Sequence, residues 1–214
     1  MGNNLDVILI RHGLTQYNAE KRYLGHHDLP LIDAGLNQME GLQRLCRTHR
    51  VDQVFTSDLK RCLQTAAIVF PTEEPLLVPL LREYQFGDFE GYRYEDLCNQ
   101  TLYQKWLQHP EYITPPNAET YQEFTERVGE GFNHCLNVAC TNEHTKIALV
   151  THGGVIRYLL SEYAPIVKPF TEWEAKIGSV YRLNGHASKL RRGERFTSLQ
   201  VEPITEKTIG FVDN

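Results

Sequence analysis

Two apolar tetrapeptides, Val7-Ile8-Leu9-Ile10 and Ile147-Ala148-Leu149-Val150, are each followed at once by a histidine motif: Arg11-His12-Gly13-Leu14-Thr15 after the first and Thr151-His152-Gly153-Gly154 after the second. Continuous apolar runs of this length read as strands buried on both faces, the pattern of a parallel sheet covered by helices. In an open sheet of that kind, ligands collect beyond the carboxyl ends of the strands. A fold that buries both runs in one sheet therefore lets His12 and His152 face one bound group although about 140 residues separate them.

The rest of the chain alternates in the same way. The spacing predicts a loop through Gly25 and Pro30, then a helix from about Asp33 to Thr48 with Leu36, Met39, Leu42, Leu45 and Cys46 on one side, and a short strand around Val51–Phe55. A helix over about Leu59–Phe70 follows, with Ser57 or Asp58 as its N-cap, and Pro71 and Pro75 end it. After an extended piece at Leu76–Val78 come helical stretches at about Tyr94–Leu107 and Thr120–Ala139, separated by Pro110 and Pro115-Pro116, with Thr120 and Glu123 reading as a capping box. Lys146–Val150, a helix from near Val155, and strands Gly178–Leu183 and Phe196–Val201 around Gly193 complete the walk. Strands alternating with helices imply an α/β fold with a doubly wound, mostly parallel sheet and helices on both faces. The segment from about residue 92 to 117 breaks the alternation and reads as a small helical insert over the site. Its aromatics Tyr92, Tyr94, Tyr103, Trp106 and Tyr112 suit packing better than a substrate wall.

Composition sets limits. The 214 residues can bury a core as one domain, 1–214, and 41% apolar with 23% charged residues is ordinary globular composition. No apolar run approaches the ~18 residues that span a bilayer, and Met1-Gly2-Asn3-Asn4 lacks a basic start. Asp6 stands where a myristoylation motif wants Ser or Thr. Cys46, Cys62, Cys98, Cys135 and Cys140 have no Cys-x-x-Cys spacing, which argues for a reducing cytoplasm and against a disulfide framework or zinc knuckle. With a formal charge of −5, the surface does not attract nucleic acid, so any anion site must be built locally. The sequence does not set the oligomeric state.

The blocks Leu9-Ile10-Arg11-His12-Gly13-x-Thr15-x-x-Asn18, Thr56-Ser57-Asp58-Leu59-x-Arg61-x-x-x-Thr65-Ala66, Leu81-x-Glu83-x-x-Phe86-Gly87-x-x-Glu90-Gly91 and Val150-Thr151-His152-Gly153-Gly154 stand in the order in which they occur in the histidine phosphatase superfamily, the phosphoglycerate mutase-like enzymes, which the chain closely resembles. The resemblance implies the phosphoglycerate mutase-like fold and a phosphohistidine intermediate on His12. Displacing the alcohol of a phosphate monoester needs a nucleophile, charge neutralisation and a proton for the leaving oxygen. His12 can attack if its other ring nitrogen donates to a backbone carbonyl. Arg11 and Arg61 offer planar forks matched to phosphoryl oxygens, and a protonated His152 adds a further donor. Backbone N–H groups at Gly153-Gly154 can approach the phosphate, Asn18 can donate its amide, and the resemblance places the backbone around Leu24-Gly25 near the bound group. Glu83 is the expected general acid/base, whereas Glu90 is expected to bond the turn's backbone.

Each of these has a plainer reading. A lone histidine after a strand is more often a packing residue, but two histidines with two arginines and a glutamate in matching contexts reverse that expectation. Ser57 has no Gly-x-Ser-x-Gly elbow and reads as a capping residue. His26-His27-Asp28 invites a metal reading, but adjacent loop residues rarely aim at one ion and a nucleophilic histidine needs none, so no metal and no cofactor is expected. His26 or His27 is read instead as a contact to the substrate beyond the phosphate. The partner expected is a small phosphorylated metabolite, with no nucleic acid and no membrane. A phosphoglycerate mutase is the alternative, since it shares the chemistry on His12. Mutases carry asparagine where this chain has Gly153, and a longer insert with a lysine and a paired arginine where this insert offers only Arg93 and Lys105, unpaired in sequence. An inactive phosphate-binding protein on the same fold would normally lack one of His12, Arg11, Arg61, Glu83 or His152, and none is missing. Among phosphatases, Arg22 to Leu31, Phe86-Gly87-Asp88-Phe89-Glu90-Gly91 and Gly153-Gly154-Val155-Ile156-Arg157 are similar to the α-ribazole phosphatases of cobalamin nucleotide-loop assembly. For such a substrate Tyr92, Tyr94, Tyr103 and Trp106 are candidate wall residues.

Overall fold

Alternation of side chains along the first strand organises the molecule. The computed structural model describes residues 4–46 and 50–202. In β1 (Asn4–Arg11), Leu5, Val7 and Leu9 enter one core and Ile8 and Ile10 enter another, and all five are nearly inaccessible to water. A strand buried on both faces needs helices on both faces. The elements that follow in order are α1 (Gln16–Ala19), α2 (Asp33–Cys46), β2 (Gln53–Thr56), α3 (Lys60–Val69), β3 (Leu76–Leu77), α4 (Tyr94–Leu97), α5 (Thr101–Gln108) and α6 (Tyr121–Thr141). Then come β4 (Lys146–Thr151), α7 (Gly153–Tyr163), β5 (Val180–His186), α8 (Ala187–Leu190) and β6 (Ser198–Glu202).

The sheet order is β3-β2-β4-β1-β5-β6. β3, β2, β4 and β1 run parallel, and β5 and β6 close the far edge antiparallel. Met39, Leu42 and Cys46 of α2 and Cys62, Ala66 and Val69 of α3 cover the face holding Ile8 and Ile10. Phe124, Val128, Phe132, Cys135 and Leu136 of α6, with Val155, Ile156, Leu159 and Leu160 of α7, cover the other. The expected α/β architecture is the one observed. Among the described residues no helix is long and apolar enough to cross a membrane.

Several boundaries differ from the sequence reading, each for a local reason. The expected end of α2 at Thr48 lies outside the described residues. The single helix expected at Tyr94–Leu107 is two, α4 and α5, because the chain turns at Cys98–Gln100, where the Gln104 side chain donates to the Cys98 carbonyl at 2.8 Å. Neither Ser57 nor Asp58 is the N-cap residue of α3; Leu59 is, and its side chain cannot cap. The first N–H of the helix, on Lys60, instead donates to the Asp28 carboxylate at 2.7 Å, while Asp58 is paired with Arg82. The capping box at the start of α6 forms as expected: Thr120 N–H donates to Glu123 Oε2 at 2.8 Å and Glu123 N–H to Thr120 Oγ1 at 3.1 Å.

The insert has a small core of its own. Phe89, Leu97, Tyr103 and Trp106 pack together, with Tyr23 and Phe86 of the main body against them and the hydroxyls of Tyr23 and Tyr103 2.6 Å apart. The main stability rests on the sheet. Leu149, fully buried in β4, is expected to cost about 2–5 kcal/mol when cut to alanine, read as a lower denaturant midpoint at unchanged slope.

Candidate active site

The parallel register of β1 with β4 pairs Arg11 with Thr151. The next residues, His12 and His152, therefore leave the sheet side by side, and His12 N–H donates to the Thr151 carbonyl at 3.0 Å. Their rings stand edge to face with centroids 5.2 Å apart. The third parallel strand adds Ser57, one residue past the end of β2, whose N–H donates to the Val150 carbonyl at 3.1 Å.

His12 is 2% exposed, and its Nδ1–H donates to the Gly13 carbonyl at 2.8 Å, which leaves Nε2 with the lone pair. Burial, and then the charges of Arg61 and Arg11, push its pKa well below the usual 6.5. The ring is thus neutral at pH 7, the state a nucleophile requires.

Arg61, on α3, is fully buried. Its Nη1 donates to the His27 carbonyl at 2.8 Å, its Nη2 to the Gly25 carbonyl at 2.6 Å, and its Nε to His152 Nδ1 at 3.2 Å. These bonds leave one hydrogen on each terminal nitrogen of the fork. Arg11 gives one bond from Nη1 to the Ala175 carbonyl, at 2.6 Å, while its buried Nε has no partner. Burial pulls the pKa of both guanidinium groups below its ordinary value, the sign of an electrostatic cost that a nearby anion offsets. His152 accepts from Arg61 on Nδ1 and so donates from Nε2 to Ser57 Oγ, at 2.9 Å. The protein groups around His152 favour the neutral ring, so the protonated state expected opposite a phosphate has to come from the phosphate's own charge. Burial first, then Arg61, His12 and Arg11, lower its pKa well below 6.5 and keep the ring neutral.

Glu83 is 8% exposed, and its carboxylate accepts from Gly154 N–H at 3.0 and 3.1 Å and from Tyr84 N–H at 3.0 Å. The first turn of α7 therefore holds the Glu83 carboxylate, and the Gly154 N–H expected to meet phosphate is already taken. A Cβ on Gly154 would run into Glu83 Oε1, and one on Gly153 would stand 3.2 Å from the Arg11 guanidinium carbon. The glycine pair is a matter of close approach by two functional side chains. Asn18 follows the Thr15 cap of α1, and its Oδ1 accepts from the Thr15 hydroxyl at 2.9 Å, so its amide hydrogens remain available.

Glu90 bonds backbone, as expected: its carboxylate accepts from the N–H groups of His26 and His27 at 2.7 and 2.8 Å. The three residues of the His26-His27-Asp28 run point different ways. His26 Nε2 bonds the Glu83 carbonyl at 3.0 Å, His27 lies beside Glu90, and Asp28 caps α3. Neither histidine lines the cavity described next.

A cavity of about 610 Å³ opens onto Arg11, Asn18, Leu24, Glu83, Gly153 and Gly154. His12, Arg61 and His152 are not in its lining; all three are buried. Its wall is aromatic, but not with the residues expected. Of the insert candidates only Trp106 faces it; Tyr103 is buried in the insert core, and Tyr92, Tyr94 and Tyr112 are exposed. The rest of the wall comes from Tyr23, Tyr84, Phe86, Tyr121, Phe124 and Phe170. These side chains carry no sequence signal, since the four segments that hold them converge only in the fold. Ser57 was legible in principle, as the residue beyond the end of a third parallel strand.

A model of the histidine phosphatase superfamily (branch 1) matches residues 7–192. The adenosylcobalamin/α-ribazole phosphatase of Salmonella typhimurium (strain LT2) is 31% identical over 163 residues, covering 72% of this chain and 76% of that protein. A probable phosphoglycerate mutase, GpmB, of Cronobacter sakazakii is 32% identical over 163 residues, covering 73% and 74%. The crystal structure of the α-ribazole phosphatase from Shigella flexneri superposes with a TM-score of 0.76 at 28% identity, over 85% of this chain and 91% of that one. The chain belongs to the histidine phosphatase superfamily, branch 1, and is a phosphatase of that family.

Two outcomes follow from the site's packing. Gly154→Ala, which drives a methyl group against the Glu83 carboxylate, is expected to lower kcat about 100-fold while the melting temperature shifts by only a few degrees. The neutral, buried His12 and His152 take up protons only when the chain unfolds as pH drops below 6.5, because their folded pKa values are depressed. Stability is therefore full above about pH 6.5 and falls as pH is lowered toward 5, by up to about 1.4 kcal/mol per pH unit for each histidine. Denaturant titrations across that range check it, and His152→Gln should flatten the slope.

Proposed function

We propose that the enzyme hydrolyses a small phosphomonoester through a phosphohistidine on His12, with α-ribazole 5′-phosphate as the substrate. The observation that carries the chemistry is the bond from His12 Nδ1–H to the Gly13 carbonyl, which leaves Nε2 as a lone pair beside Arg11 and Arg61. Nε2 attacks phosphorus, and the phosphoryl oxygens are met by the unpartnered Nε of Arg11, the remaining hydrogens of the Arg61 fork and the Asn18 amide. Glu83 gives a proton to the departing alcohol oxygen and then takes one from the water that cleaves the phosphohistidine. The dianion raises the pKa of His152 against the effects that lower it, so this ring gains a proton as charge accumulates.

The cavity and the relatives support this choice of alcohol. A space of about 610 Å³ walled by Tyr23, Tyr84, Phe86, Trp106, Tyr121, Phe124 and Phe170 suits a flat, largely apolar base on a ribose. The Salmonella and Shigella relatives carry α-ribazole phosphatase names. One observation favours the mutase alternative: Arg22 and Arg157 also line the cavity and could meet a carboxylate. Arg22 is already engaged with Glu20 and the Gly91 carbonyl, and Arg93 and Lys105 of the insert do not reach the lining.

The test is phosphate release by wild type, His12→Ala and Trp106→Ala from α-ribazole 5′-phosphate, sugar bisphosphates, an aryl phosphate and 3-phosphoglycerate, with formation of 2-phosphoglycerate followed alongside. His12→Ala should abolish all turnover. Trp106→Ala should raise KM for the ribazole ester about tenfold more than for the aryl ester, a loss of ~1.4 kcal/mol of base contact. Isomerised phosphoglycerate as the main product would replace the phosphatase reading with the mutase.

A further inference from the structure

One charged side chain outside the constellation described above makes more contacts with the Glu83 loop than any residue of the site itself. Arg127 lies on α6 three residues beyond Phe124, so the two share a helix face, and its guanidinium carbon sits 5.1 Å from the Phe124 ring centroid. Phe124 lines the cavity, which puts the guanidinium behind that wall. Arg127 Nη1 donates to the carbonyls of Leu80 and Arg82, both at 2.8 Å, and Nη2 donates to the carbonyl of Glu83 at 2.8 Å. The remaining donors form a bidentate pair with Glu119, Nε to Oε2 at 2.7 Å and Nη2 to Oε1 at 2.6 Å. Both side chains are largely buried, at 18% and 10% exposure.

Glu119 ties down the other side of the same loop. Its Oε1 accepts from Gln85 N–H at 2.7 Å, and its carbonyl accepts from the Tyr84 hydroxyl at 2.5 Å. Residues 80 to 85 are thus gripped at nearly every position by one ion pair. One turn along α6 from Arg127, Gly131 allows the helix to press on this segment, since a Cβ there would stand 2.8 Å from Leu80 Cβ. Three backbone carbonyls converging on one guanidinium is an arrangement lysine cannot reproduce, because its single ammonium has neither the fork nor the reach.

We propose that Arg127, braced by Glu119, is the positioning residue for Glu83, and that it fixes the carboxylate where it can protonate the leaving oxygen. The inference rests on the reading of Glu83 as the general acid. Arg127 fixes the backbone at the Glu83 carbonyl, and Gly154 and Tyr84 then fix the carboxylate. Without Arg127 the Glu83 carbonyl keeps only the His26 Nε2 bond, and the carbonyls of Leu80 and Arg82 lose their shared donor.

The test compares two esters in the full-length enzyme. An alkyl phosphate needs its leaving oxygen protonated, whereas 2,4-dinitrophenyl phosphate releases a stable anion without help. Both are compared through kcat/KM, which reports transfer to His12. Arg127→Lys and Glu119→Gln are each expected to lower the alkyl value about 100-fold and the dinitrophenyl value only a few-fold. Because both values come from the same protein sample, any misfolded fraction cancels in their ratio. Combining Arg127→Lys with Glu83→Gln should add no further selectivity, since both act on one proton transfer. Equal losses on the two esters in Arg127→Lys, beside a selective Glu83→Gln, would overturn the inference alone. A Glu83→Gln enzyme equally slow on both would overturn the acid assignment and the inference with it.

Discussion

Everything in the site depends on the register between β1 and β4. Six residue pairs in parallel alignment, from Asp6 with Lys146 to Arg11 with Thr151, deliver two histidines to the same edge of the sheet at the same height. A slip of one residue would turn Ile8 and Ile10 from one core into the other and carry His12 away from His152. The register is held by apolar side chains buried on both faces, so the geometry of the catalytic pair is set by the hydrophobic cores rather than by polar contacts between the rings.

With that pair in place, the cations arrange themselves around it at an electrostatic cost. Arg61 is buried and Arg11 partly buried beside two neutral imidazoles, and the Glu83 carboxylate is held by the first turn of α7. Arg61 partly satisfies itself on the carbonyls of Gly25 and His27, and Arg11 on that of Ala175. Carbonyl oxygens are weak substitutes for an anion. Burial depresses the pKa of all four basic groups, and for Arg11, His12 and His152 neighbouring positive charges add to it, a cost that a nearby anion would offset.

The sheet and the two helical layers were legible in the sequence from apolar runs and helical periods, and the candidates His12 and His152 from their place at strand ends. What was not legible depends on contacts between distant segments. The cap of α3 comes from Asp28, thirty-two positions upstream, and no local rule points there. The N–H of Gly154 goes to Glu83 rather than staying free, because only the fold brings that loop to α7. The aromatic cavity wall draws on five segments, and of the insert aromatics the sequence offered, only Trp106 takes part. His152 is expected as a cation opposite an anion; its protein neighbours Arg61 and His12 and its burial lower its pKa, so its charge depends on the bound group and not on a local pattern.

Trp106 belongs to two structures at once. It is a member of the insert's separate small core, with Phe89, Leu97 and Tyr103, and it is also part of the cavity wall. The insert adds nothing to the central sheet, and its core meets the main body through Tyr23 and Phe86, which line the same cavity. Repacking a few side chains of the insert would therefore reshape the cavity wall while the residues at the strand ends stay as they are. Change of substrate and preservation of chemistry are mechanically uncoupled in this architecture, and the seam between them runs along Tyr23, Phe86 and Trp106.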